Sequence, residues 1–309
     1  MTLVQGGYID LPSHVQPGGF DHAAVHRATG RIYVAHTAND TLDVIDGPND
    51  RYLHSIPNMT GVAGALVSDE ADLVFTSNRG ENTVGIFSPG DEKGLVKIPV
   101  GVRPNGLAYD PKRNVLLAAN VGDPAIPNSF TLSIVDIASR NIKASIPVPG
   151  RTRWTVYDQD ADVFYVNIAD PPQIVVVDAK NPTRVERAFP IPAAGPHGLD
   201  LDAAQHRLFC ACDGKRLVVV DTRSGQVLNE HEISGSPDVI FFSAELQHLY
   251  VAIGDPGVIE VFNTGTLHLT EQVQTEKGAH TLAFDPMHNE VYAFLPQTHR
   301  AAVYTDMNE

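Results

Sequence analysis

The sequence predicts an all-β protein, a seven-bladed β-propeller built from four-stranded antiparallel blades. Three observations carry that prediction. A four-part phrase recurs about every 42 residues along the 309-residue chain. Each part is a short apolar run of strand length, bounded by Gly, Pro, Asn or Asp. No helical period intervenes between the parts, and four short strands per repeat without a helix mark a propeller blade.

The phrase reads most clearly at residues 195–202, 207–211, 216–221 and 226–233, and it returns at 104–110, 115–118, 132–136 and 142–146. Taken from their innermost strands, the blades fall near 18–58, 59–100, 101–150, 151–192, 193–234, 235–276 and 277–309. The last repeat supplies runs at 279–285, 290–294 and 301–304 but no outermost strand after them. Gly7-Tyr8-Ile9-Asp10-Leu11-Pro12 reads like the outer-strand endings at 144–147 and 96–99. Residues 1–13 are therefore predicted to complete blade seven and close the ring, which removes the open edge of a linear array. The repeat spans almost all of 1–309, so one domain is predicted although the length alone would allow two.

Composition narrows the partners. A net charge of −15 argues against nucleic acid or an anionic membrane as the main partner and fits an acidic, soluble surface. No apolar run reaches membrane-spanning length, and Met1–Leu11 has neither the basic start nor the apolar core of a secretory signal, which predicts a cytoplasmic protein. Cys210 and Cys212 stand two apart on one strand. They face the same side, cannot form an ordinary disulfide there, and are predicted to be buried thiols.

Arg31-Ile32-Tyr33-Val34-Ala35-His36, followed by Thr41-Leu42-Asp43-Val44-Ile45-Asp46, resembles the YVTN-type propeller repeat, with Leu249-Tyr250-Val251-Ala252 and Phe164-Tyr165-Val166-Asn167 repeating the pattern. The resemblance implies the fold across nearly the whole chain. It implies no single function, because such propellers include surface proteins, scaffolds and enzymes. Pro196-His197-Gly198 is similar to the start of the inner strand in streptogramin lyases, matched in full at this one place.

Repeats share residues for folding, so function is sought where equivalent positions differ. The middle residue of Pro-x-Gly, with its equivalents in the blades that lack the full phrase, stands at the start of each inner strand, at the mouth of the central channel. Around the ring it is His22, Ala63, Asn105, Trp154, His197, Asp238 and His280. The three histidines and the aspartate come from blades five, six, seven and one, which are neighbours once the ring closes. Three imidazoles and a carboxylate at one point suit a divalent first-row transition metal, Zn, Fe, Mn or Ni, with a position left open toward the channel. The alternatives are a metal-free polar pocket and plain turn residues bonding to nearby backbone. Asp238 is also a candidate to orient a histidine rather than to ligate.

His36 departs from the Asn that ends the second strand in other blades. It is the candidate for proton transfer or substrate contact beside the metal, and Cys212, at the same place in blade five, is a weaker candidate ligand. On the other half of the mouth, Arg103, Arg151 and Arg153 precede Asn105 and Trp154. Arg103, Asn105, Arg153 and Trp154 form the candidate substrate surface, the arginines for a carboxylate or phosphate and the indole as an apolar wall, under the long loop at 121–130. His26, His206, His248 and His288 are expected in surface turns on the opposite face, and His54, His231 and His268 on or near outer strands.

These readings converge on a metal-dependent enzyme acting on a small anionic or oxygen-rich molecule by lyase, lactonase or hydrolase chemistry. One alternative is an Fe or Mn oxygenase at the same site. The other is a non-catalytic scaffold that binds a protein or ligand across the top face. The sequence has no phosphate-cradling loop, Ser-His-Asp order or Cys-x-x-Cys pair, so nucleotide, flavin and haem readings have no support.

Overall fold

The computed structural model describes residues 3–307. The outermost two residues at each end of the predicted 1–309 domain lie outside them. Seven antiparallel sheets of four strands form a ring. Their innermost strands are Ala23–His26, Val62–Ser68, Pro104–Asp110, Thr152–Asp158, Pro196–Asp202, Ser236–Ser243 and Thr281–Asp285. Each runs from the top of the channel, where the Pro-x-Gly phrase sits, to a turn at the bottom.

Closure follows the predicted route. Leu3–Asp10 pairs with Arg300–Asp306 as the fourth strand of blade seven, from Leu3 opposite Asp306 to Asp10 opposite Arg300. Leu11 N–H then donates to the His299 carbonyl at 2.9 Å as the chain leaves for blade one.

The core lies between blades rather than within one. Seven clusters of buried apolar side chains each join two neighbouring sheets. Strand two is buried on both faces, hence the unbroken apolar runs such as Ile32-Tyr33-Val34-Ala35, all at 0% exposure. Tyr33, Tyr165, Tyr250 and Tyr292, the tyrosines of the repeat, are among the largest fully buried side chains.

The glycine of Pro-x-Gly is required by the ring. A Cβ on Gly64, Gly106 or Gly198 would collide with the carbonyl of Asn105, Arg153 or Asp238, respectively, on the next inner strand. The glycine thus lets adjacent inner strands approach closely at their top ends.

Pairing between the first and second strands slips at the same point in five blades, between Val62 and Gly64, Pro104 and Leu107, Thr152 and Thr155, Pro196 and Gly198, and Pro237 and Ile240. Ala63, Asn105, Trp154, His197 and Asp238 sit in these bulges. A bulge bends its strand and re-aims the side chain it carries, so the varying column is turned toward the mouth.

Candidate functional site

The mouth holds a chain of charged side chains rather than a cage. Asp238 is its hub: Oδ2 meets His280 Nδ1 at 2.8 Å and Oδ1 meets His197 Nε2 at 3.0 Å. His197 Nδ1 lies 2.8 Å from Asp213 Oδ1, which also accepts from Ser236 Oγ at 2.7 Å. Arg153 stands 3.0 Å from His197 Nε2 and 3.4 Å from Asp213 Oδ2.

Burial alone would hold both imidazoles neutral. Asp238 and Asp213 outweigh it at His197, whose pKa is raised to about 9. Asp238 likewise outweighs burial at His280 and raises it. Asp238 itself, although burial disfavours its charge, is held well below the usual carboxylate range by His197 and His280. Asp213 is lowered against burial by its bond from His197.

Asp238 and Arg153 compete for one nitrogen. As an imidazolium, His197 donates from Nε2 to Asp238. As a neutral ring protonated at Nδ1, it accepts from Arg153 there. A proton leaving His197 is thus replaced by the charge of a neighbouring guanidinium.

His22 takes another part. It is buried, packs its ring 4.0 Å from that of Trp154, and lies 3.3 Å from Asp21. Burial lowers its pKa, so it is a neutral plug beside the indole. Beneath this pair lies a cavity of about 560 Å³, walled by Leu66, Leu107, Tyr109, Tyr157 and Phe241 and running to the bottom turns. Its lining is mostly apolar. Asp200, a half-buried carboxyl in its wall, is raised to about 6 by desolvation and held by the Leu201 and Phe242 N–H groups. The convergent polar groups are at the mouth, and that is where chemistry is sought.

Four arginines gather on the other half of the mouth. The pKa of Arg151 is lowered by burial and then by the positive charges of Arg153, Arg79 and Arg103. Arg79 donates to Asn105 Oδ1 at 2.6 Å and lies 3.3 Å from Asp21. Arg103 is exposed, with a left-handed backbone at φ 56°.

The structure therefore brings His197, Asp238 and His280 together, with Arg153 joined to them. It sets His22 against Trp154, and it separates His36 from the group. His36 is fully buried, its Nδ1 held 2.7 Å from Asp43 Oδ2 and its ring against Phe20. Asp43 on the adjacent strand draws His36 away from the mouth, contrary to the expectation that it opens there. Cys212 is also fully buried, its sulfur 3.8 Å from that of Cys210, with no histidine beside it.

Among the described residues, the ligand atoms of the mouth set do not all fall within 4.8 Å of one another, and one group of three meets that limit: Asp285, His288 and Glu290. These three could hold a metal ion. They lie at the bottom face, where His288 Nδ1 bonds to Asp285 and Tyr292 donates to Glu290. His288 was expected to be an isolated surface residue. Two other bottom histidines are not surface residues: His26 is 2% exposed, and His248 is 6% exposed and 2.8 Å from Asp306.

Sequence reading missed Asp21, Arg79, Asp213 and Ser236. Arg79 and Asp213 each follow the last residue of strand two, a second column whose departures from neutral residues were available as a signal. Asp21 precedes the column residue of blade one, as Arg103 and Arg153 do in blades three and four, give or take one place.

Among solved structures, the chain is similar to one of Kuenenia stuttgartiensis hydrazine synthase, at TM-score 0.82 and 13% identity over 99% of both chains. It is also similar to a chain of a mitotic checkpoint complex, at TM-score 0.83 and 10% identity over 98% of this chain and 91% of that one. No known protein family and no curated protein sequence matches it. Among the described residues, no helix is long and apolar enough to cross a membrane. At such low identity the likeness is one of fold alone: the chain is a seven-bladed β-propeller.

Proposed function

We propose that the channel mouth is the active site of an enzyme that moves a proton on a small carboxylate-bearing, oxygen-rich molecule, with elimination or ring-opening as the reaction class. One observation carries the reading. His280 has Nδ1 fixed on the half-buried Asp238 carboxylate, its side chain is 35% exposed, and no hydrogen bond of Nε2 within the described protein competes for a substrate. That is the geometry of a general base whose positive charge, once formed, is stabilised by Asp238.

His197, already charged between Asp213 and Asp238, is suited to give a proton to a leaving oxygen, and Arg153 then compensates its loss. Arg79, Arg151 and Arg153 supply the positive field that would hold a carboxylate. The Pro196-His197-Gly198 likeness to streptogramin lyases favours elimination. The repeat's resemblance to YVTN propellers is neutral on the chemistry.

A second reading keeps a first-row divalent ion at the mouth, on His280 Nε2 and His197 Nε2, with Asp238 orienting His280 through Nδ1. The uncommitted Nε2 favours it. It requires Arg153 to leave His197 Nε2, where a second ligand bond would form.

The test is turnover on a panel of small hydroxy-carboxylates and lactones, for the wild type and His280→Gln, with metal analysis of the purified protein. A fall of about 10²–10⁴-fold in kcat for the variant, in protein free of metal, supports proton transfer by His280. Activity that tracks a stoichiometric ion selects the second reading. A wild type that neither turns over nor binds any panel member overturns both and leaves the scaffold.

A further inference from the structure

A separate group of histidines stands where the ring is sewn shut. His14 follows the closing strand, His36 ends the second strand of blade one, and His299 turns the hairpin that precedes Arg300–Asp306 in blade seven. The His14 ring lies 4.4 Å from that of His299 and 5.0 Å from that of His36, centre to centre. His14 Nε2, His36 Nε2 and His299 Nδ1 are all buried, and none has a hydrogen-bond partner.

Three imidazole nitrogens from three distant parts of the chain, each removed from water and each without a partner, are unusual. Buried polar atoms are nearly always satisfied, so an orphan calls for a missing ligand. His36 is 0% exposed, with its ring against those of Phe20 and His14. His36 is moreover oriented as a metal-binding histidine is: Nδ1 is held by Asp43, and Asp43 is itself held by Ser55 Oγ at 2.5 Å and Thr41 Oγ1 at 3.1 Å. Such a carboxylate partner fixes the tautomer and leaves Nε2 as a lone pair.

We propose that His14, His36 and His299 form a zinc site that staples the segment after the closing strand to blades one and seven. Neutral imidazole is a preferred donor for Zn²⁺, and three such ligands leave the fourth tetrahedral position to water. The rings now meet edge to face, and the three nitrogens are not all within 4.8 Å of one another. Zinc uptake turns His14 and His299, both partly exposed and outside strands, toward the fixed Nε2 of His36. The site is distinct from the mouth and does not depend on the reading of it.

Chelator-treated full-length protein titrated with Zn²⁺, and separately with Co²⁺ as a visible probe, tests the proposal. The wild type is expected to take up one equivalent with tetrahedral Co²⁺ absorption, and its Tm is expected to rise by about 5 °C at a hundredfold excess of Zn²⁺ over Kd. His14→Ala and His299→Ala, at partly exposed positions that leave the buried His36 in place, are expected to lose at least 100-fold in Zn²⁺ affinity together with the Tm shift. His280→Ala at the mouth and His288→Ala at the bottom are expected to keep both. Wild-type protein that takes up no zinc, or uptake that survives His14→Ala and His299→Ala, overturns the proposal. So does uptake abolished by His280→Ala or His288→Ala alone, which assigns the ion to the mouth or to the bottom face.

Discussion

The two ends of the channel are made from the same seven strands and use charge in opposite ways. At the bottom, the residue ending each inner strand is bonded to its own turn. Asp110 accepts from Arg113 N–H, Asp158 from Asp160 and Ala161, Asp202 from Gln205, and Asp285 from Met287. Ser68 and Ser243 do the same for Ala71 and Leu246. At the top, the corresponding first residues differ from blade to blade, and the charged ones bond to one another across blades. A charge that recurs in a repeat is capping a turn. A charge that appears in one arc of the ring is free for other work.

Paired substitutions sharpen that contrast. Asp202 at the bottom is 3% exposed and is bonded to Gln205 N–H and, at 2.7 Å, to Arg207. Asp202→Ala is expected to cost about 3 kcal/mol of stability, read by urea unfolding, and to leave the kcat of the folded enzyme unchanged. Asp238→Asn at the top should do the reverse, with a large loss of kcat and a smaller loss of stability. A variant at the bottom that spares stability but abolishes turnover would break the comparison.

A smaller effect is expected from the arginines. Arg151→Ala should raise KM for a carboxylate substrate about tenfold, that is about 1.4 kcal/mol, with kcat little changed, because the guanidinium holds the ground state and the transition state alike. Steady-state kinetics against salt decides it, since the wild-type KM must be the more salt-sensitive of the two.

The smallest effect is on pH dependence. His197 is raised from 6.5 to about 9, so the stability it contributes is fully present below 6.5 and is lost as pH rises through about 9. Asp213 and Asp238 are lowered, so their share is present at neutral pH and is lost only in acid. Unfolding midpoints of the wild type and His197→Gln should therefore differ most near pH 6 and converge toward pH 10. Parallel curves across that range would show that His197 is not charged between its two carboxylates.

The architecture was legible because folding imposes the same demands on every blade. Pro-x-Gly, Tyr-Val and Val-Ile-Asp recur for packing reasons that do not depend on neighbours far along the chain. The column at the mouth was legible for the converse reason, since His197, Asp238 and His280 interrupt that sameness. What escaped was reach. Arg79 and Asp213 arrive from the second-strand loops on side chains whose length no one-dimensional alignment measures. His14 escaped because it belongs to the seam, which occurs once, and His299 escaped because its departure from Asp40, Asn82 and Lys215 at the same hairpin position gains meaning only beside His14 and His36, far along the chain. Burial of His26 and His248 escaped because turns at the bottom are partly covered by the neighbouring blade, as the contacts of His26 with Asp72 and of His248 with Asp306 show.

The pairing of Leu3–Asp10 with Arg300–Asp306 also sets a schedule for biogenesis. At about 5–20 residues per second on the ribosome, the early strand waits on the order of 15–60 s for its partner to be synthesised. During that interval the nascent protein is an unclosed arc with one unpaired strand and two uncovered apolar blade faces, open to contact with other chains. Cellular yield should therefore respond to translation speed and to chaperones that shield strands, more than the stability of the finished wheel would suggest.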